Sequence, residues 1–405
     1  MIPPMTQAKH HILLINTAHT FTHYSLLILP TAVLAMAVPG GTFGDSYGPI
    51  LALATGMFVL YGLFSLPQGW LAARFGQKRL MTAFYLGTGL SMIACGFAAS
   101  PLLLAAALCG VGLFTAIYHP IGTTLLVEAA GDKPGRALGL NGVFGNIGVA
   151  LAPVVTAFLA TRFGWRAAFI APGLLCLAAG LFWLRLPTIA AATRQTNRPF
   201  PPIPAFLVRR AVLVLMLIAA VSGLVFNAFT LLLPKLMEER LASDASLLPL
   251  VGVAAFLATL CGAATQFSVG RLIDRSTLKR VLVPISIVLA PVLLALSFVD
   301  GWLVLPLSGA VAASLFGQVT VNETMAARYV SPALRARIYS IRFFVGFLGA
   351  AAAAPLIAVL YEKTGSLAAV TALLAGFSTV TLGCALFFPN REEELQPELW
   401  AVAAE

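Results

Sequence analysis

Long apolar runs, each close to 20 residues and separated by short breaks that carry the charges, follow one another along almost the whole chain. A helix needs about 20 apolar residues to cross the roughly 30 Å hydrocarbon core of a bilayer. Inside that core the backbone must satisfy its own hydrogen bonds, and runs this long do so as helices. Hydrophobic residues make up 60% of the 405 and charged residues only 10%, which excludes an ordinary soluble domain. The sequence therefore predicts an all-α integral membrane protein.

Charged residues and clusters of Gly and Pro divide these runs into twelve predicted transmembrane helices. The run that starts at Ile12 is long enough to span a membrane, and nothing before it resembles a cleavable signal peptide. An even number of spans places both termini on one side. The predicted spans lie near residues 12–38, 48–72, 79–99, 102–128, 137–160, 165–186, 210–234, 247–271, 281–299, 302–327, 338–361 and 366–388.

The positions of Lys and Arg predict the orientation. With the N-terminus inside, nineteen of the twenty-five Lys and Arg residues are cytoplasmic, five are outside and Arg342 lies within a span. Cytoplasmic loops carry an excess of basic residues, so we expect a multi-pass inner-membrane protein with both termini in the cytoplasm. This orientation also accounts for the net charge of +10, and no nucleic-acid partner is predicted. The five cysteines fall inside apolar runs, where no disulfide framework is indicated.

The chain divides into two similar halves. We predict an N-terminal six-helix bundle over 1–186, a basic, proline-rich cytoplasmic linker over 187–209 and a C-terminal six-helix bundle over 210–388. The tail, 389–405, is acidic and is expected to be exposed, as a short helix or without order. GWLAARFGQKR (69–79) and GRLIDRSTLKR (270–280) repeat at an offset of 201 residues. Paired six-helix repeats are typical of secondary transporters, whose substrate path lies near the middle of the membrane.

These two loops resemble the loop motif of the major facilitator superfamily, G-x-L-a-D-r-x-G-r-k-x. Ala73 replaces the aspartate in the first copy, which makes the first-half latch of the motif uncertain, whereas the second copy retains the aspartate. Glycine is expected to permit a tight turn and the basic residues to hold the loop in the cytoplasm. The resemblance implies a major facilitator fold that transports by alternating access. The matching residues are Gly69, Arg74, Gly76, Lys78, Arg79, Gly270, Asp274 and Arg275.

The fourth and fifth spans carry two further resemblances. GVFGNIGVALAP is similar to the glycine-rich motif of the family's exporters, with Ala152 in place of the glycine before Pro153. Its glycines form a smooth helix face, which serves either tight packing or a sliding contact between the halves. AIYHPIG (116–122) resembles the fosmidomycin-resistance-like branch of the superfamily. Ala107 stands near the position where many drug/proton exporters carry an arginine. The motif residues are Gly142, Gly145, Gly148 and Pro153, with Gly139 at the same spacing.

Polar side chains within the spans are few, and ionisable groups at mid-membrane are costly, at about 2.5–3.5 kcal/mol each. Asn16, His19 and His23 recur at helical spacing and therefore share one face of the first span. The repeat offset relates His119 to the region of Glu323 and relates Asn227 to His23. We predict a central cavity between the halves, with proton coupling through Glu323 and Arg342. The predicted cavity residues are His19, His23, Tyr24, Tyr118, His119, Asn227, Gln266 and Asn322.

Each of these groups has an alternative interpretation. Glu323 and Arg342 either couple proton movement to transport or form a structural pair. The histidines either contact substrate or protons, or are packed helix residues. His19 and His23 could also ligate a metal, with His119 or Glu323 completing the site. No cluster of Cys or Met accompanies them, so the favoured prediction is that these residues do not bind a metal.

The sequence thus predicts a monomeric secondary active transporter that moves a small organic solute by alternating access in the lipid bilayer, with protons as coupling ions. The resemblance implies export. Uptake of a metabolite or of a transition-metal ion by the same fold is the alternative, and a non-transporting receptor or scaffold is the alternative of another class. No phosphate-binding loop or nucleophile elbow is present in the sequence, so neither a cofactor nor an enzyme activity is predicted.

Overall fold

The computed structural model describes residues 7–130, 134–188, 202–241 and 247–396. Within these ranges twelve helices are long and apolar enough to cross a membrane, and they match the twelve predicted spans to within a few residues at most ends. We number them α1 Gln7–Met36, α2 Tyr47–Ser65, α3 Gln77–Phe97, α4 Pro101–Ala130, α5 Ala137–Phe163, α6 Trp165–Arg185, α7 Ala205–Leu241, α8 Leu248–Ile273, α9 Leu278–Ala295, α10 Gly301–Tyr329, α11 Arg337–Thr364 and α12 Ala368–Phe387.

The side chains that these helices expose are largely apolar. Leu102 is 79% exposed and Phe298 is 78% exposed, which would be unfavourable in water and suits contact with lipid. Many of the polar side chains within the helices are instead buried among other helices, as Asn16 is. The fold is therefore apolar outside and locally polar inside, as a bilayer requires.

The second span ends earlier than predicted. Helix α2 stops at Ser65, and a separate short helix covers Gln68–Phe75, whereas the sequence predicted one span to residue 72. Pro67 lies between the two helices. Because proline has no backbone N–H, it cannot continue the hydrogen bonding of α2. Gly76 then makes the turn into α3 with a φ of +83°, a region that favours glycine.

Gly69 and Gly270 do not make the tight turn that the motif suggested. Both lie within helices, and a Cβ added to either would meet no atom within 4 Å. The glycine that the turn requires is Gly76 alone, because no positive φ is recorded for Gly69 or Gly270.

The motif lysines have a local structural role in addition to the expected cytoplasmic placement. Lys78 donates from Nζ to the carbonyl oxygen of Leu186 at 2.5 Å, just beyond the end of α6. Lys279, its counterpart at the repeat offset, donates to the carbonyl of Leu386 at 2.5 Å, in the last turn of α12. A cation at a helix C-terminus satisfies open carbonyls and complements the helix dipole.

The acidic tail is not the fully exposed segment that was predicted. Glu392–Leu395 forms one 3₁₀ turn, and Glu394 is only 3% exposed. Its carboxylate accepts the backbone N–H of Leu278 at 2.7 Å and the Tyr329 hydroxyl at 3.0 Å. The prediction was wrong for Glu394 because the first N–H groups of α9 lack partners within the helix, and a carboxylate there satisfies one of them. Residues 397–405 lie outside the described part of the chain.

The chain divides into two compact units. Unit 1 comprises Met1–Arg194 with Met237–Phe256, and unit 2 comprises Gln195–Leu236 with Leu257–Glu405. The predicted linker, 187–209, lies mostly outside the described residues, and α7 already begins at Ala205 within it. The two-bundle boundaries, 1–186 and 210–388, stay a prediction. The potential sites described below each lie within a single unit.

Candidate functional site

The polar face predicted for α1 lies inside unit 1. Asn16 is 1% exposed and His19 8% exposed, whereas His23, one turn further along, is partly exposed. Nε2 of His23 lies 3.1 Å from Nε2 of His19. The spacing of four residues brings the two rings together because side chains at i and i+4 lie above one another on a helix.

Helix α4 contributes two more rings at a local irregularity. Tyr118–Gly122 forms a π-helical turn, and Pro120 within it has no N–H to donate. The Tyr118 ring stacks on His19 with centroids 4.8 Å apart and an interplanar angle of 20°. The ring of the next residue, His119, meets His19 edge-on at 5.3 Å and His23 at 5.4 Å. The two successive residues Tyr118 and His119 therefore both contact His19, and they do so within this wide turn.

We refer to His19, His23 and His119 as the histidine cluster. One potential ligand atom of each residue lies within 4.8 Å of those of the other two. The three ring centroids, separated by 4.9, 5.3 and 5.4 Å, form a nearly equilateral triangle. His19 is buried, whereas His23 and His119 are partly exposed.

Asn141 of α5 organises the buried side of the cluster. Its Nδ2 donates to Asn16 Oδ1 at 2.8 Å and to the Tyr118 hydroxyl at 2.6 Å. Its backbone carbonyl accepts a hydrogen bond from Nδ1 of His19 at 2.7 Å. Asn141 is not among the predicted site residues, although an asparagine within an apolar span was a signal for it.

The glycines of α5 differ in what they do. A Cβ added to Gly145 would lie 2.6 Å from Cε1 of His19, and one added to Gly148 would collide with the backbone of Thr20. The same addition to Gly139 or Gly142 meets nothing within 4 Å. Only the later two glycines therefore form a close contact, and that contact is with α1. Pro153 contacts α8 at Gly252, where an added Cβ would lie 2.9 Å from the proline carbonyl oxygen.

Unit 2 contains the predicted acid–base pair. Nη2 of Arg342 lies 3.9 Å from Oε1 of Glu323, with side-chain exposures of 11% and 53%. The guanidinium lies over the ring of Phe343 at 4.8 Å. Its buried Nε has no hydrogen-bond partner among the described residues. The contact is therefore a loose ion pair that leaves part of the guanidinium available.

Two buried amides lie near this pair along α10. Gln318, 1% exposed, accepts a hydrogen bond from the Ser222 hydroxyl at 3.1 Å, while its Nε2 has no partner among the described residues. Asn322 lies one turn further on at 6% exposure, and its Oδ1 likewise lacks a partner there. Buried polar atoms without partners are rare, and they favour a ligand or water. Gln318 and Ser222 were not predicted, because their hydrogen bond joins residues on two different helices.

The remaining predicted residues are described within their own helices and loops. Tyr24 is buried on α1, and it projects about 100° around the helix from its neighbour His23. Asn227 donates to the carbonyl of Gly223 in its own helix at 2.7 Å, and Gln266 is half-buried on α8. On the motif loops, Arg74 lies 5.9 Å from the centroid of the Trp70 ring. Arg79, Asp274 and Arg275 are exposed.

Comparisons with known proteins place the chain among transporters. A family model described as the Major Facilitator Superfamily matches residues 20–259 and, again, 215–402. The chain is 31% identical over 167 residues to a gallate transporter of Pseudomonas putida, covering 40% of this chain and 36% of that protein. It is also 31% identical over 179 residues to a 4-hydroxybenzoate transporter of Pseudomonas aeruginosa, covering 42% and 39%. Each alignment spans less than half the length of the relative.

A solved structure resembles the whole chain. The structure of a bacterial homolog of the human lysosomal transporter Spinster, in an inward-facing and occupied conformation, aligns over 99% of this chain and 98% of that one. The TM-score is 0.70 and the sequence identity is 14%, so the likeness concerns the fold.

Proposed function

Because the chain belongs to the Major Facilitator Superfamily, we propose that it is a secondary active transporter that moves a small organic anion by alternating access, together with a proton. The relatives that match it are transporters named for gallate and 4-hydroxybenzoate, both of which are aromatic carboxylates. Their aligned parts are partial, so the substrate class rests on the residues of this chain.

The observation that carries the proposal is the position of Arg342. An arginine within an apolar span is unfavourable unless it has a function or a full set of partners. Arg342 has one carboxylate at 3.9 Å and an unpartnered Nε, and the ring of Phe343 lies 4.8 Å from its guanidinium. A guanidinium binds a carboxylate through two parallel hydrogen bonds, and the aromatic ring next to it suits an aromatic solute.

The pairing of Arg342 with Glu323 supports proton coupling. While the two side chains pair, their charges compensate each other. A substrate carboxylate bound to Arg342 would take over that compensation and leave Glu323 as an isolated charge, which favours its protonation. Anion and proton then bind together. Positive linkage of this kind describes cotransport, and an inward proton gradient would drive uptake.

Proton-coupled export is a second candidate. It is favoured by one observation, the similarity of GVFGNIGVALAP in α5 to the exporter motif. In export by exchange, proton and substrate would exclude each other at the site. The proposed pairing of charges favours joint binding for an anion, so a solute that is neutral or cationic would fit export better.

A proteoliposome experiment tests the proposal. Purified full-length protein is reconstituted, and uptake of labelled 4-hydroxybenzoate is measured with and without an inward proton gradient. We expect gradient-driven accumulation in the wild type and loss of both uptake and counterflow in Arg342→Gln. In Glu323→Gln we expect loss of gradient-driven accumulation but retention of counterflow. Unchanged pH-driven uptake in Glu323→Gln would remove this carboxylate from the mechanism.

A further inference from the structure

We propose that the histidine cluster of unit 1 is a binding site for a divalent transition-metal ion of the Zn²⁺, Co²⁺ or Ni²⁺ type, bound through one ring nitrogen of each imidazole. Imidazole is a favoured ligand of these metals. The site is separate from the Arg342–Glu323 pair, which lies in unit 2, and the inference does not depend on the proposed anion transport.

The distances within the cluster are close to those of a metal site. A zinc–nitrogen bond of about 2.0–2.1 Å in tetrahedral geometry separates two ligand nitrogens by roughly 3.3 Å. Nε2 of His19 and Nε2 of His23 are 3.1 Å apart. The ligand atom of His119 lies within 4.8 Å of both, so its side chain would have to move closer to complete a tetrahedral site.

The tautomer of His19 is the one that a metal ligand requires. A carbonyl oxygen only accepts, so Nδ1 of His19 carries the hydrogen that bonds Asn141 at 2.7 Å. For a neutral ring, Nε2 then presents its lone pair toward His23. A backbone carbonyl on the far nitrogen is the outer partner that commonly orients a metal-binding imidazole.

The His19 ring is also held before any ion arrives. Tyr118 stacks on one side of His19, and Asn141 fixes Tyr118 through its hydroxyl. Gly145 leaves the space that the His19 ring occupies, because a Cβ there would lie 2.6 Å from it. Rigid support of this kind lowers the entropic cost of ordering the ligands when a metal binds. The two partly exposed members, His23 and His119, provide the route of entry.

The surroundings favour a metal ion over a bound organic anion at this cluster. The rings of Tyr118 and Tyr61 and the backbone carbonyl of Asn141, which lie against the cluster, are neutral groups. Neutral imidazoles offer lone pairs but no positive charge for an anion. Three nitrogen ligands leave a fourth position open for water or for an oxygen of a small solute.

The experiment uses the full-length protein in detergent, purified through a tag without histidine and treated with a chelator. Co²⁺ is titrated while the visible absorption bands of nitrogen-coordinated Co²⁺ are recorded, and Zn²⁺ is then added to displace it. We expect saturation at one Co²⁺ per chain and displacement by Zn²⁺, with no displacement by Mg²⁺. Failure to observe saturable binding would mean that the imidazoles form only a hydrogen-bonded group, and it would overturn the proposal.

Three variants and two control variants locate the site. His23→Gln and His119→Gln should each weaken Co²⁺ binding by at least about tenfold, while His10→Gln, outside the cluster, should not. Gly145→Ala displaces the His19 ring and should also weaken binding, whereas Gly142→Ala, which meets open space, is its matched control. Size-exclusion profiles and melting temperatures verify folding. Retention of wild-type affinity in the double variant of His23 and His119 would contradict the assignment. Transport of 4-hydroxybenzoate after chelation tests the anion proposal independently.

Discussion

At the residue scale, the structure separates what a single helix determines from what two helices determine together. The adjacency of His19 and His23 follows from helical spacing and could be predicted from the sequence. The role of Asn141 depends on the packing of α5 against α1 and α4, and no sequence spacing contains that information. The same holds for Gln318 and Ser222, whose 3.1 Å hydrogen bond joins α10 to α7.

Asn141→Ala is expected to lower stability by about 1–3 kcal/mol, because it leaves the buried oxygen of Asn16 and the hydroxyl of Tyr118 without their donor. Thermal unfolding in detergent measures the change. Asn227→Ala is the matched control, since the side chain of Asn227 donates to the carbonyl of Gly223 within its own helix. An equal loss of melting temperature in both variants would contradict the role assigned to Asn141.

At the element scale, two local irregularities coincide with prolines, whereas Pro153, Pro172 and Pro234 lie inside continuous helices. Pro67 ends α2 early, and Pro120 lies in the π-helical turn that brings Tyr118 and His119 to the cluster. Apolar content alone predicted a continuous span at both places. The presence of proline was a visible signal for a break, but its form depends on the neighbouring helices.

The approach of α5 to α1 gives an element-scale prediction. Gly148→Ala would force a methyl group against the backbone of Thr20, which cannot rotate away as a side chain can. We expect a destabilisation of about 1–3 kcal/mol and a lower melting temperature. Gly142→Ala adds the same methyl group in open space and should leave stability nearly unchanged. If both variants behave alike, the two helices do not pack closely at Gly148.

The contact between Glu394 of the tail and the start of α9 gives a second element-scale prediction. Burial raises the pKa of Glu394 above its usual range, and this effect is only partly offset by the hydrogen bonds from Leu278 and Tyr329 and by the charge of Arg328. With a raised native pKa, stability falls as the pH rises from the ordinary value of the carboxyl group through the native value. We expect Glu394→Gln to flatten this part of the profile of melting temperature against pH. An unchanged profile would show that Glu394 does not titrate with folding.

At the scale of the whole molecule, the twelve spans were predictable because bilayer thickness fixes the length of an apolar helix. The family match and the solved transporter structure confirm the predicted major facilitator fold, and the matched relatives are transporters rather than enzymes. Substrate, direction and oligomeric state have no such simple determinant. They depend on a few polar contacts that vary independently of the fold.

Orientation also belongs to this scale. The distribution of Lys and Arg predicts that both termini lie in the cytoplasm of a cell whose inner membrane holds the protein. Small tags on the two termini should therefore be inaccessible to an impermeant reagent in intact cells and accessible after permeabilisation. Labelling of either tag from outside intact cells would contradict the orientation.

The central claim is that an anion and a proton move together through the Arg342–Glu323 pair. The most direct measurement is the pH inside proteoliposomes when 4-hydroxybenzoate is added outside without a pH gradient, compared with protein-free vesicles that report passive entry of the neutral acid. We predict that the lumen acidifies faster with wild-type protein, and that Glu323→Gln abolishes this difference while counterflow continues. A lumen that becomes alkaline, or an unchanged pH while carrier-dependent substrate entry proceeds, would contradict the account.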